Sequence, residues 1–505
     1  MSASAASKGQ SDDALLARRP IDGVLRAALE RLRRAHDVRY AEVRYVSESS
    51  ERLRVRDLRP EDVATASSRG VAVRVLGDKT WGFACTPHLD EPSVVHAAER
   101  ALLIARASAA LASRAVTFPL ASPSVGSYRS AVAIDPSSIP IAQKLAFLDA
   151  PVRALMARGK PIRSAEAWMD WTHQTKRLLT TEGTDVTQTL TFGACGMQVI
   201  AIGDDGISQR RTYPTWQGSE GFQGGYEHVA SLDLLGNVDR VAEEAIALLT
   251  APPCPPGTRD VILDSNQTAL QIHESCGHPT ELDRAMGSEI SLAGGSFLQP
   301  ALLGSLRYGS PHVDLVADST SAGGMGTFGW DDEGVPAGKR HLVREGMFVD
   351  YLSSRETAAS LGRASTGTMR AESWNRPPLI RMVNVSLEPR EGSLDALVND
   401  TDDGLLISTD RSWSIDDLRL NFQFTCEIAW EIKRGKRTRI LRDPLYTGIT
   451  PSFWRSCDAV CGADEWRLWG ITNCGKGDPM QIMQVGHGAS PARFRGVTVG
   501  PGGAQ

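Results

Sequence analysis

The 505-residue chain contains no run of about 18 apolar residues, the length a helix needs to cross a bilayer, so no membrane span is expected. Its first twenty residues are small and polar and lack the apolar stretch of a signal peptide, which leaves 1–20 to be read as a disordered tail. Basic charge is not in excess. With 55 Lys and Arg against 60 Asp and Glu, the formal net charge is −5, which provides no field for gripping nucleic acid directly. Cysteine shows no pairing pattern: the eight residues, at positions 85, 195, 254, 276, 426, 457, 461 and 474, are scattered through a large chain, as suits reduced thiols in a cytoplasm. No short period recurs, which argues against a repeat architecture.

What is present, 41% hydrophobic residues and 47 glycines, suits a turn-rich α+β protein of two or three domains. Apolar residues at 21, 24, 25, 28, 29 and 32 have the spacing of an amphipathic helix. Alternating segments at 41–46, 53–55, 71–75 and 81–84, with Gly77-Asp78 as a turn, predict an antiparallel sheet, and long helices are expected over 93–112 and 141–157. Residues 162–213 alternate in runs separated by Glu182-Gly183 and Asp204-Asp205-Gly206, the pattern of a meander, and a helix near 232–249 closes this half. The segment Ala251-Pro252-Pro253-Cys254-Pro255-Pro256-Gly257 breaks regular structure. The expected division is therefore a tail at 1–20, an N-terminal α+β domain at 21–250 with subdomains 21–115 and 130–250, and a strand-rich C-terminal catalytic domain at 258–500. Strands in the last are expected near 313–316, 379–383, 422–432 and 494–499.

The stretch that organises the chemistry is Ile272-His273-Glu274-Ser275-Cys276-Gly277-His278-Pro279-Thr280-Glu281. A buried strand at 260–264 leads into it, with Ser265 as a helix N-cap. Histidines four apart lie about 40° from each other around an α-helix, whereas five apart lie about 140° apart, so a regular helix cannot aim both at one ion. The expected remedy is a left-handed Gly277 ending the helix and a Pro279 that pushes His278 out of the α region. This HExxxH pattern still supplies two imidazoles for a metal and a carboxylate, Glu274, to take a proton from water.

Two histidines are too few for zinc, and the best third candidate is Cys474 in Trp469-Gly470-Ile471-Thr472-Asn473-Cys474-Gly475-Lys476-Gly477-Asp478, read as a tight turn in which Lys476 lowers the thiol pKa. Two histidines and one cysteine leave a fourth tetrahedral position for water, as a catalytic zinc requires.

With these residues in place the chain resembles the TldD/PmbA family of zinc peptidases, first described as modulators of DNA gyrase. The resemblance runs in order over roughly residues 20–500. It rests on HExxxH at 273–278, on Phe328-Gly329-Trp330-Asp331-Asp332-Glu333-Gly334-Val335-Pro336, on Arg381-Met382-Val383-Asn384, and on Asn473-Cys474-Gly475-Lys476 followed by Val485-Gly486-His487-Gly488. It implies metal binding by His273, His278 and Cys474 and a general base in Glu274. The PmbA or TldE branch lacks these ligands, so this chain resembles the metal-bearing type. Also implied are one zinc per chain, unstructured peptides held in extended form as substrates, and a closed dimer with itself or with a metal-free TldE/PmbA-like homologue. Residues 408–424 depart from the pattern, being rich in Asp and Arg where many members carry glycines.

Other residues stay open between two readings. His487 is a rival third ligand or oxyanion stabiliser, or a turn histidine that positions its loop. Glu281 and Asp283 either hold the ring nitrogens of the ligand histidines or cap the next turn. Asp331-Asp332-Glu333 meets a substrate amine or forms a solvated loop. Cys457 and Cys461 could join Cys474 in a structural metal cluster, although their spacing fits no common motif. The function expected is a zinc-dependent peptidase; the alternative of a different class is a metal-binding scaffold or partner subunit without its own activity.

Overall fold

The structure, a computed structural model, describes residues 18–215, 220–291 and 294–502, so most of the tail expected at 1–20 lies outside the described residues. A ten-stranded sheet dominates the N-terminal half, with the long strands Tyr40–Arg56, Arg59–Leu76, Ile162–Thr180 and Asp185–Ile202 as neighbours. The segments expected at 41–46 and 53–55 are one strand, because the residues between them keep pairing on both sides: Ser47 with Arg69 and Thr175, Arg52 with Ala64 and Asp170. Helices Arg18–Arg33 and Glu91–Ala109 pack on Val43, Val73 and Leu179 at one end of these strands. Helices Ile141–Met156 and Val238–Thr250 pack on Leu53, Val55 and Met169 at the other. Each Val or Leu so buried is worth about 1.5–3 kcal/mol, which fixes register from the two ends and leaves the middle free to be polar. Asp90 starts the second helix by accepting from Ser93 N at 2.9 Å.

The C-terminal half is built on a seven-stranded sheet in which strand Asp403–Ile415 pairs with both Gly257–Leu263 and Asn421–Lys433. That double pairing closes five strands, these three with Pro444–Ile449 and Ala492–Pro501, into a small barrel. The Asp- and Arg-rich region at 408–424 is its hairpin, bulged between Asp410 and Ser412. Only Leu379–Ile380 of the strand expected at 379–383 is extended in a ladder. Beyond it Asn384 makes three side-chain hydrogen bonds, from Gly326 N (2.9 Å) and to Asp318 O (2.7 Å) and Thr327 Oγ1 (2.8 Å). The class is α+β, with a strand-rich C-terminal half.

One hairpin, Arg467–Lys476 with Gln481–Ala489, belongs by sequence to the second half but by pairing to the first, through Gly470 opposite Gly221. A Cβ on Gly470 would lie 2.0 Å from Gly221 O, so the join requires glycine. Cys474 and His487 are thereby mounted on an extension of the N-terminal sheet. Among the described residues no helix is long and apolar enough to cross a membrane.

Candidate metal centre

Strand Gly257–Leu263 runs into helix Ser265–Ile272, capped by Asp264, which accepts from Gln267 N at 2.9 Å; the cap is one residue earlier than the Ser265 expected. The helix then widens. Residues 273–277 form a single π turn closed by a hydrogen bond from His278 N to His273 O. An i to i+5 turn does for residues five apart what an α turn does for residues four apart, and the two imidazole centroids come within 4.8 Å. This replaces the expected exit: Gly277 is right-handed at φ −62°, and His278 is right-handed at φ −58° despite the proline after it. Pro279 sits in the first turn of the next short helix, where its missing N–H costs nothing. Gly277 is needed for space, since a Cβ there would meet Met382 Sδ at 2.0 Å.

Cys474 arrives from the hairpin. It lies on a strand, opposite Met483, and not in a tight turn; a register shift between Ile471 and Cys474 re-aims it. Its Sγ is 3.8 Å from His278 Nε2, across 196 positions of sequence. One ligand atom from each of His273, His278 and Cys474 lies within 4.8 Å of the others, and all three residues are buried. An ion with bonds of about 2.3 Å to sulfur and about 2.1 Å to nitrogen at tetrahedral angles would hold those two atoms about 3.6 Å apart, so the donor set and spacing fit zinc.

Lys476 does not act on the thiol. Its ammonium is buried against Asp283 (2.8 and 2.9 Å), Ile380 O (2.8 Å) and Glu281 (3.4 Å). Burial raises the Cys474 pKa, but neighbouring His278 and Arg381 outweigh it and bring the thiol below its ordinary value. Arg381 also binds the strand itself, donating to Cys474 O and, at 3.0 Å, to Gln481 O. Glu281 takes the ring-holding role left open for it: its Oε2 is 3.1 Å from His278 Nδ1 and shares Arg284 Nη2, itself 3.3 Å from that nitrogen. Burial works to raise the Glu281 pKa, yet Lys476, His278 and Arg284 hold it well below the usual range. Asp283 holds Lys476 instead of a histidine.

His487 is fully buried with both ring nitrogens engaged, Nε2 at 2.8 Å from His273 Nδ1 and Nδ1 at 2.9 Å from Val385 O, so it is not a third ligand. Burial lowers the pKa of both imidazoles, to about 4 for His273 and well below the ordinary value for His487. Glu274, buried in the π turn, accepts from Arg419 Nη1 at 2.7 Å. Arg419 is the participant that sequence reasoning missed. The one available signal was the departure of 408–424 from the family pattern.

Asp331, Asp332 and Glu333 neither face a substrate amine nor form a solvated loop. Asp332 meets Lys176 (3.1 Å) and Ala371 N (2.7 Å), and Glu333 meets Arg74 (3.0 Å) and Arg355 N (2.9 Å), so the cluster is a buried polar joint between the halves. Cys457 and Cys461 pack in separate apolar clusters, burial pushing each thiol up to about 12, and neither joins Cys474. Among the described residues, the histidine–histidine–cysteine set is the one metal-capable group of three.

Comparison with known proteins matches three consecutive profiles: PmbA/TldA metallopeptidase domain 1 at residues 41–105, the central domain at 134–251, and the C-terminal domain at 256–501. This chain belongs to the PmbA/TldD metallopeptidase family. Curated members include a metalloprotease of Methanothermobacter thermautotrophicus, 29% identical over 92% of this chain and 96% of its own length. Another, from Methanocaldococcus jannaschii, is 27% identical over 90% and 95%. A Saccharolobus solfataricus relative, 24% identical over 48% and 52%, is named a zinc metalloprotease TldD homolog. The PmbA/TldD fold is shared with a Thermotoga maritima protein described as a modulator of a DNA gyrase, at TM-score 0.73 and 18% identity over 95% of this chain and 99% of that one. TldE from Thermococcus kodakarensis shares it at TM-score 0.69 and 16% identity, over 95% and 99%.

Proposed function

We propose that this metallopeptidase is a zinc enzyme that hydrolyses unstructured or extended peptides, with one zinc held by His273, His278 and Cys474 and with Glu274 as general base. The observation that carries the reading is the approach of three buried donors of zinc-compatible type and spacing from two distant segments, a helix end and a hairpin. A zinc ion there supplies Lewis acidity, polarising a carbonyl and acidifying water. The protein's own part is to move the proton: Glu274 accepts it from the attacking water and returns it to the amine nitrogen as the peptide C–N bond breaks. The hydrogen bond from Arg419 fixes the carboxylate for that transfer. Burial of the whole set excludes bulk water, which strengthens each of these electrostatic contacts.

The family and a TldE-like fold support a dimer, either of this chain or with a metal-free homologue. The test uses protein purified without chelator, alone and with any homologue that copurifies. About one zinc per chain, chelator-sensitive cleavage of a denatured polypeptide and a sedimenting dimer or complex are expected. Absence of any transition metal removes the catalytic reading, and full activity as a monomer at nanomolar concentration removes the dimer.

A further inference from the structure

The two histidines of the centre are each held from behind, but by different groups. His278 Nδ1 faces the carboxylate of Glu281. His273 Nδ1 faces another imidazole, that of His487. The backbone around His487 is fixed on both sides: Gly486 N donates to Val383 O at 3.2 Å, and Gly488 N donates to Ser386 Oγ at 2.9 Å. Its ring is fixed by Val385 O at 2.9 Å from Nδ1.

Proton counting decides the rest. A carbonyl oxygen only accepts, so His487 Nδ1 carries a proton. A neutral imidazole carries one, which makes His487 Nε2 an acceptor. The atom 2.8 Å away, His273 Nδ1, must then be the donor, and the remaining nitrogen of His273, Nε2, is left with a bare lone pair. With Nδ1 engaged by His487, Nε2 is the atom that can face His278 and Cys474. We infer that His487 is a positioning residue that fixes the tautomer and ring orientation of His273, through a relay from Val385 O, so that His273 is presented to a metal in its ligating form. The inference rests on the zinc reading above. It also accounts for the unlike partners: Cys474 and Glu281 already bring negative charge to the site, and a neutral imidazole orients His273 without adding more, which preserves the electrophilicity of an ion held there.

Two substitutions test this. His487→Gln keeps one donor for Val385 O and one acceptor for His273, whereas His487→Phe keeps a flat ring and neither function. Zinc affinity is read by competition with a chromogenic chelator, the Co2+-substituted protein by its visible spectrum, and the metal-free fold by its melting temperature. The expected result for His487→Phe is about 10- to 100-fold weaker zinc binding and an altered Co2+ spectrum, with metal-free melting close to native. His487→Gln should bind zinc within a few-fold of native. Native-like zinc affinity and Co2+ spectrum in His487→Phe would overturn the positioning role alone. Equal losses in both variants, accompanied by a fall in metal-free melting, would overturn it in favour of a packing role. Failure of the native chain to take up zinc would overturn the inference and the zinc reading together.

Discussion

Arg419 donates from Nη1 to Glu274 Oε2 at 2.7 Å, joining the tip of one hairpin to the carboxylate that follows His273. The tip is held by Asp416, which accepts from Leu420 N (2.7 Å) and Asn421 Nδ2 (2.6 Å), and Arg419 itself is left-handed at φ 63°. A non-glycine residue in that region costs of order 1 kcal/mol, so the conformation is held by its surroundings and delivers the guanidinium to Glu274.

If that contact orients the base, Arg419→Met should lower kcat/KM by about tenfold or more, the size expected for a hydrogen bond to a charged group, while zinc content stays at the native level. Steady-state kinetics beside elemental analysis separates the outcomes. Unchanged kcat/KM would show an idle pair, and loss of metal would show that the hairpin supports the ligands instead.

Gly277→Ala distinguishes the two accounts of the π turn. Ala is comfortable at φ −62°, so any cost must come from Met382, whose Sδ lies 2.0 Å from where the new Cβ would sit. The expected loss is about 1–3 kcal/mol in denaturant unfolding, partly recovered in the double variant Gly277→Ala with Met382→Ala. A glycine required for a left-handed turn would show no such recovery.

Glu227 predicts an acid-sensitive anchor whose partners are not those of the metal centre. Its carboxylate accepts from Ala133 N (3.0 Å), Ile134 N (2.8 Å) and Gly225 N (3.0 Å). Burial works to raise its pKa, but these donors outweigh it and hold the carboxyl at about 2 against an ordinary 4.5. The unfolded chain therefore binds more protons between those values, so the stabilisation is complete above pH 4.5 and drains away as pH falls toward 2. Glu227→Gln should cost about 1–2 kcal/mol at neutral pH, a figure reduced for a side chain 29% exposed, and the gap to native should narrow below pH 4.5 in urea titrations. A gap independent of pH would contradict the assignment.

These residues also show where sequence reading stops. Periodicity located the helices at 18–33, 91–109 and 141–156 because each has one apolar face that a single sheet covers. It missed the continuity of Tyr40–Arg56 because the residues between the two apolar segments are polar and half-buried or exposed, and the helix contact there is itself polar, Lys144 on Glu51, so nothing selects apolar residues. The spacing of His273 and His278 excluded a regular α-helix, yet glycine and proline signals serve a π turn as readily as a left-handed exit, and Met382 decides between them from more than a hundred residues away. Dense acid at Asp331 to Glu333 stays open in the sequence between a substrate contact and a solvated loop because the groups that meet it, the cations Arg74 and Lys176 and the backbone N–H of Arg355, come from other elements. Arg419 escaped for the same reason: the departure of 408–424 from the family pattern marked its region, but its partner is set by a hairpin tip that no local pattern places.

The sharpest remaining prediction separates the base from the ligands. Glu274→Gln keeps the shape of the side chain and an oxygen that accepts from Arg419, but loses the basic carboxylate. It should keep zinc and a near-native melting temperature while losing activity by at least ~10²-fold, the lower end of what general base catalysis contributes. Cys474→Ser should behave differently, because a neutral hydroxyl is a much poorer zinc ligand than a thiolate, and Cys474 is buried where His278 and Arg381 favour its ionised form. That variant should lose metal and activity together. Its strand should nevertheless survive, since Arg381 grips the backbone carbonyl of residue 474 and not the side chain, so metal-free melting of Cys474→Ser should match that of the metal-free native chain. Retention of zinc by Cys474→Ser alongside its loss from Glu274→Gln would make the glutamate the ligand and the cysteine a core residue. The role assignment would then be reversed even though the protein remained a metallopeptidase of the same family.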